Sequence, residues 1–142
     1  MAIGLRDFIG VWTLAREIED VRLGVRGRFD GRCVIAWDGD DVVQTETGTL
    51  RFGDAAPMQA QRVYRWRAAG AVISVSFEDG RAFHSFGPGH AETAQHLCGS
   101  DLYEVQYGFA DWPVWTSTWR VMGPRKDLVL RNRFARSEGS PS

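Results

Sequence analysis

The chain has 142 residues, 44% of them hydrophobic and 25% charged, and a net charge of −1. That is room for one domain with a sizeable core, and the balance excludes a strongly basic nucleic-acid binder or a polybasic membrane-surface protein. No apolar run approaches the ~20 residues of a membrane span.

Lys126 is the only lysine. Arginine presents a planar fork to anions, although a GC-rich genome is the preferred explanation of the bias. The N-terminal MAIGLRDFIG has no basic segment before an apolar run, so no signal peptide is expected. Cys33 and Cys98 are then expected as free, buried thiols of a cytoplasmic chain.

Leu5, Phe8, Ile9 and Trp12 recur at helical spacing and predict one or two helical turns. The period then becomes two: Trp12, Leu14, Arg16 and Ile18 alternate with Thr13, Ala15 and Glu17. Turn residues follow at short intervals, from Gly24 and Gly27 through Asp38-Gly39-Asp40, Gly53 to Pro57, Ala69-Gly70, Asp79-Gly80, Gly87-Pro88-Gly89, Gly99-Ser100 and Asp111 to Pro113, to Gly123-Pro124. Alternating segments between regular turns predict an all-β, antiparallel up-and-down barrel of about ten strands, wide enough for a ligand. Residues 1–136 form a single domain in this reading, and 137–142 a disordered tail.

Directly paired residues share a face of a sheet, so turn lengths assign faces. Asp79-Gly80 reads as a two-residue type I′ turn. It sets Val75 opposite His84 and Phe77 opposite Ala82, with Phe83 and Ser85 outward. Ala69-Gly70 sets Trp66 opposite Ile73, Tyr64 opposite Val75 and Arg62 opposite Phe77. An even loop at Asp38 to Asp41 puts Phe29, Cys33, Ile35 and Trp37 on the face of Gln44, Glu46 and Leu50. The Gly99-Ser100 turn puts Glu92, His96 and Cys98 with Tyr103, Val105 and Tyr107. The Gly123 to Lys126 loop pairs Trp119 with Leu130, Ser117 with Asn132 and Trp115 with Phe134.

Gly10-Val11-Trp12, at the entry to the first strand, resembles the lipocalin and fatty-acid-binding (calycin) barrels. In that resemblance the Trp lies at the closed end under an Arg from the last strand, here Arg136 or else Arg133, as a cation–π plug. Asp79-Gly80-Arg81-x-Phe83-His84, His96-x-Cys98-x-x-Asp101-x-Tyr103 and Gly123-Pro124-Arg125-Lys126-Asp127 are similar to segments of a small bacterial lipocalin-like family known only as a domain of unknown function. The resemblance runs from Phe8 to about Arg136. It implies a barrel and no defined activity.

The inward polar set is Arg16, Glu46, Arg62, Tyr64, His84, Glu92, His96, Tyr103, Tyr107, Ser117 and Asn132. Such a set must be paired, wet or engaged with a ligand. The leading expectation is non-catalytic binding of a small amphiphilic or anionic organic molecule. Its binding residues would be Glu46, Arg62, Tyr64, Trp66, His84, His96, Tyr103, Tyr107 and Trp119, with Arg62 facing the anion. An internal network of Arg62 or Arg16 against Glu46 or Glu92 is the structural alternative. The enzymatic alternative uses His84 with Tyr64 or Tyr103 as acid and base. A Cys98–His96 nucleophile pair ranks lower. His84, His96 and Cys98 with Asp101 or Glu92 match no standard zinc spacing. Haem-binding barrels place their axial His late, and no His follows His96. No metal, cofactor or nucleic-acid partner is expected, and the oligomeric state is left open. Arg125 and Lys126 mark a hairpin that either guards the mouth or is a solvated turn.

Overall fold

The computed structural model describes residues 3–87 and 93–137, and of residues 93–98 the backbone alone. Ten strands lie among them. They are β1 (Gly10–Asp20), β2 (Val25–Asp38), β3 (Asp41–Phe52), β4 (Met58–Ala69), β5 (Val72–Phe77), β6 (Ala82–Phe86), β7 (Thr93–Cys98), β8 (Asp101–Gly108), β9 (Trp115–Met122) and β10 (Asp127–Arg136). All pair antiparallel with their chain neighbours up to β6, and again from β7 onward. The last strand closes on the first, with Trp12 opposite Arg136 and Ile18 opposite Leu130. β6 and β7 are the edges of the sheet, so the barrel is nearly closed. Of the expected disordered tail, 137–142, Ser137 is described and donates its N–H to Val11 O at 3.0 Å, and the rest lies outside the described residues.

The N-terminal segment is a single 3-10 turn, Leu5–Phe8, the shorter of the one or two turns its spacing predicts. Ile9 is already extended, so only Phe8 of the expected stripe enters the core from the turn. Asp7 accepts the Gly4 N–H at 2.7 Å and fixes the start of the turn.

Alternation places the faces as the turn lengths require over most of the barrel. The pairs Cys33–Glu46, Ile35–Gln44, Trp119–Leu130, Ser117–Asn132 and Trp115–Phe134 all form. At the Ala69-Gly70 turn the loop is instead Gly70-Ala71. Trp66 therefore opposes Val75, and Tyr64 opposes Phe77. The slip is two residues, so every side chain keeps its face.

The Asp79-Gly80 turn departs from type I′. Among its loop residues only Gly80 has positive φ, at 92°, whereas type I′ needs two such residues. The Gly80 N–H donates to Phe77 O at 2.9 Å and the Phe77 N–H to Arg81 O at 2.8 Å. That is a three-residue loop with glycine in the left-handed position. A bulge between Val75 and Ser76 then takes up one residue on β6, and Val75 still opposes His84. The correction falls on Phe83. The bulge turns it inward beside His84, and it is fully buried.

Candidate functional site

The closed end is built first. Phe8 meets Trp66, Trp112 and Trp115 edge-on, with ring centroids 5.3, 5.1 and 5.2 Å away. Trp115 stacks on Phe134 at 3.8 Å. Trp12 donates its indole N–H to Phe8 O at 2.8 Å. The Arg136 guanidinium lies 4.0 Å from the Trp12 ring centroid. It also donates to Ile9 O at 2.9 Å and Asp7 O at 2.6 Å. One side chain of the last strand thus joins the 3-10 turn to the first indole. Gly10, at φ 141°, leaves room for it: a Cβ there would stand 2.5 Å from Arg136 Nη1.

Above this floor runs a buried polar chain. Trp66 donates to Gln44 Oε1 at 2.9 Å, and Gln44 Nε2 donates to Glu46 Oε2 at 3.1 Å. Arg16 Nη2 meets Glu46 Oε1 at 2.8 Å. Arg16 Nε donates to Asn132 Oδ1, and Asn132 Nδ2 to Ser117 Oγ at 3.0 Å. Arg16 and Glu46 are 4% and 1% exposed, so two full charges are held out of water. Such a pair holds where further hydrogen bonds support it, here from Gln44 to Glu46 and from Arg16 to Asn132. Of the expected alternatives, Glu46 takes Arg16 and not Arg62. Burial and the Glu46 charge push the Cys33 thiol well above its ordinary pKa.

Near the sheet edge, His84 Nε2 and Tyr107 Oη are 2.7 Å apart. The Tyr107 ring stacks on Phe86 at 4.0 Å. Burial first, then the Tyr64 and Glu46 charges, raise the Tyr107 pKa well above normal, so the phenol is neutral. Tyr64 is raised too, chiefly by burial. The space these groups enclose, from Arg16 and Glu46 to Trp119 and Asn132, is about 10 Å³, room for one water. Trp115 and Trp119 are among its lining residues, and their indole N–H groups are buried with no acceptor among the described residues.

The other end is the mouth. Ile18, Leu50, Phe77, Tyr103 and Leu128 stand half-buried against the core there. Arg62 belongs to this rim. Its side chain is exposed, 3.4 Å from Tyr64 Oη through Nη1, which corrects the expectation of a buried guanidinium. Inward parity fixes the face of a strand residue and not its depth along the barrel. The same reasoning explains Trp37, of inward parity yet 51% exposed, because β2 runs past the barrel wall. Trp66 lies at the closed floor, 1% exposed, and Trp119 and Tyr107 line the lumen. Glu92 and the side chains of His96 and Cys98 lie outside the described residues, though His96 opposes Tyr103 in the ladder. Among the described residues no group of three or more His, Cys, Asp or Glu gathers as for a metal. Lys126, in the β9–β10 hairpin, pairs with Asp101 at 3.3 Å.

Among the lining residues that sequence reasoning did not take as ligand contacts are Gln44, Trp115 and Phe83. Gln44 and Trp115 carry inward parity and were legible by it. Phe83 has outward parity, and only the bulge turns it in.

An antiparallel, nearly closed barrel with an aromatic floor and a buried polar centre defines a calycin-like barrel. The chain belongs to a family of unknown function (DUF6314), which it matches over residues 8–136. Two solved structures share the fold. One is an S-type phycobiliprotein lyase from Guillardia theta, at TM-score 0.69 and 7% identity, covering 95% of this chain and 91% of that one. The other is a protein of the DUF3598 family from Nostoc punctiforme, at TM-score 0.65 and 10% identity. That alignment covers 96% of this chain and only 50% of the other, so this chain spans about half its length. No curated protein matches. Among the described residues no helix is long and apolar enough to cross a membrane.

Proposed function

We propose that the barrel binds a small amphiphilic or anionic organic molecule, without chemistry, with its acceptor atoms toward the lumen and its charge near the mouth. The observation that carries this reading is the pair of indole N–H groups, Trp115 and Trp119, that lack an acceptor among the described residues, beside the hydrogen-bonded chain from Trp66 to Ser117. A buried donor left unmatched costs roughly 1–3 kcal/mol. A carbonyl or carboxylate from a guest would remove that cost. Arg62 on a half-buried apolar rim supplies the second recognition element. A likeness in fold to a phycobiliprotein lyase is compatible with an organic guest; at 7% identity it bears on the fold alone.

The test is extraction of the native protein with organic solvent and mass spectrometry of what is released. Alongside it, 8-anilinonaphthalene-1-sulfonate is titrated with tryptophan fluorescence as readout. An anionic compound in near-stoichiometric amount, or saturable one-to-one dye binding, is expected. Arg62→Met should weaken dye binding by about 1.5–3 kcal/mol, the worth of a hydrogen bond to a charged group. A protein that releases nothing and binds no dye saturably has a merely structural lumen.

The short His84–Tyr107 contact favours one second reading, acid–base chemistry on the same guest. It replaces the expected Tyr64 or Tyr103 with Tyr107. Tyr107→Phe leaving any turnover of the released compound unchanged would end it.

A further inference from the structure

The ring of Phe83 fills a ready-made slot. It stacks on Phe77 with centroids 4.7 Å apart and 19° between planes, and on Tyr64 at 6.0 Å and 26°. Trp119 and Tyr103 close the slot edge-on, at 5.1 and 5.3 Å. These are favoured geometries for one six-membered ring among aromatic walls. Phe77 and Tyr64 also line an open groove of about 530 Å³ outside the slot, with Arg62, Arg81, Glu78 and Asp79 beside them. Arg81 lies over the Phe77 ring at 5.4 Å, but its guanidinium is held by Asp79 at 2.8 Å. The contact recorded for the Arg62 guanidinium is the neutral Tyr64 hydroxyl, and among the described residues no carboxylate pairs with it. Phe83 itself is the bulge residue of an edge strand, two residues beyond Arg81, which closes the three-residue loop. Its backbone ladder runs to β5, while its ring touches side chains of β4, β5, β8 and β9.

We infer that Phe83 occupies the ring position of a guest, and that the site takes a small aryl carboxylate. The guest's ring replaces that of Phe83 between Phe77 and Tyr64. Its carboxylate reaches the groove and meets the Arg62 fork. This deepens the lumen-binding reading and rests on it. Phe83 then sets the size of the guest, because the space left while it is seated admits about one water.

The experiment uses the full chain and two probes of equal shape, phenylacetate and its neutral isostere phenylacetamide, followed by calorimetry and tryptophan fluorescence. Phe83→Ala should bind phenylacetate one-to-one, at least tenfold tighter than wild type and at least tenfold tighter than phenylacetamide. Adding Arg62→Met should abolish the preference for the acid and leave amide binding intact. A folded Phe83→Ala protein that binds neither probe, or binds both equally, overturns the inference. If that variant does not fold, 4-fluorophenylalanine is placed at position 83 of the otherwise wild-type chain. A fluorine shift that saturates with phenylacetate is then expected, and an unmoved resonance at high phenylacetate overturns the inference. Either failure can coexist with a released compound or with dye binding, which report on the broader reading alone.

Discussion

Arg16→Met offers a direct measure of the buried ion pair. The substitution keeps length and apolar volume but removes the fork that meets Glu46 at 2.8 Å and reaches Asn132. Glu46, 1% exposed, is left with the single Gln44 N–H donor at 3.1 Å. Breaking one partner of a buried pair costs about 3–5 kcal/mol. For a chain of this size each kcal/mol lowers the melting temperature by about 3 °C, so a fall of roughly 9–15 °C is expected in calorimetry. Glu46→Gln removes the other charge, and the double variant removes the conflict. The double variant should be more stable than the sum of the singles allows, with a coupling of about 1–3 kcal/mol. Urea denaturation of all four proteins closes the cycle. Additivity within about 0.5 kcal/mol, or a melting point that falls by under 3 °C in Arg16→Met, would refute the reasoning. It would mean that water or another donor serves Glu46 as well as Arg16 does.

Gly10→Ala should lower stability by about 2–4 kcal/mol, since it strains a φ of 141° and displaces Arg136 from two carbonyls and an indole; an unchanged urea midpoint would contradict the closed-end geometry. Tyr107 and Tyr64 have pKa values raised by burial, so the folded state keeps protons that the unfolded chain gives up near pH 10. Stability is therefore complete below about pH 10 and falls as pH rises above it; absorbance at 295 nm should show both phenols ionising only as the barrel unfolds, and Tyr107→Phe should flatten the decline. Cys33, raised by burial and by Glu46, should resist 5,5′-dithiobis(2-nitrobenzoate) in the native protein and react on unfolding; rapid native reaction of a Cys98→Ser variant would show the thiol to be accessible.

The faces of the strands were legible because a period of two needs only the parity of each turn. Ser117–Asn132 and Cys33–Glu46 follow from turn parity at either side of the barrel. The Ala69-Gly70 slip did no harm, since two residues restore the face. Depth was not legible: Arg62 and Trp66 lie on one face of β4, yet one is exposed on the rim and the other is buried in the floor. Pairing was not legible either, because Arg62 stands directly opposite Glu46 in the ladder while Arg16 is two strands away on β1. Only the barrel's curvature brings Arg16 across to it. Phe83 escaped because a bulge breaks the parity on which the reading depends.

The three-residue loop at Asp79-Gly80 and the bulge at Phe83 are two departures of opposite sign. The first shifts the β5–β6 frame by one residue and the second shifts it back, so His84 faces Val75 as it would across a plain two-residue turn. Phe83 is thus the residue the ladder leaves uncounted. Shortening the loop by one residue would leave Phe77 closing on Arg81 and Val75 opposite His84. Deleting Phe83 alone would remove the bulge and keep the same pairs, in a barrel whose ring slot stands empty.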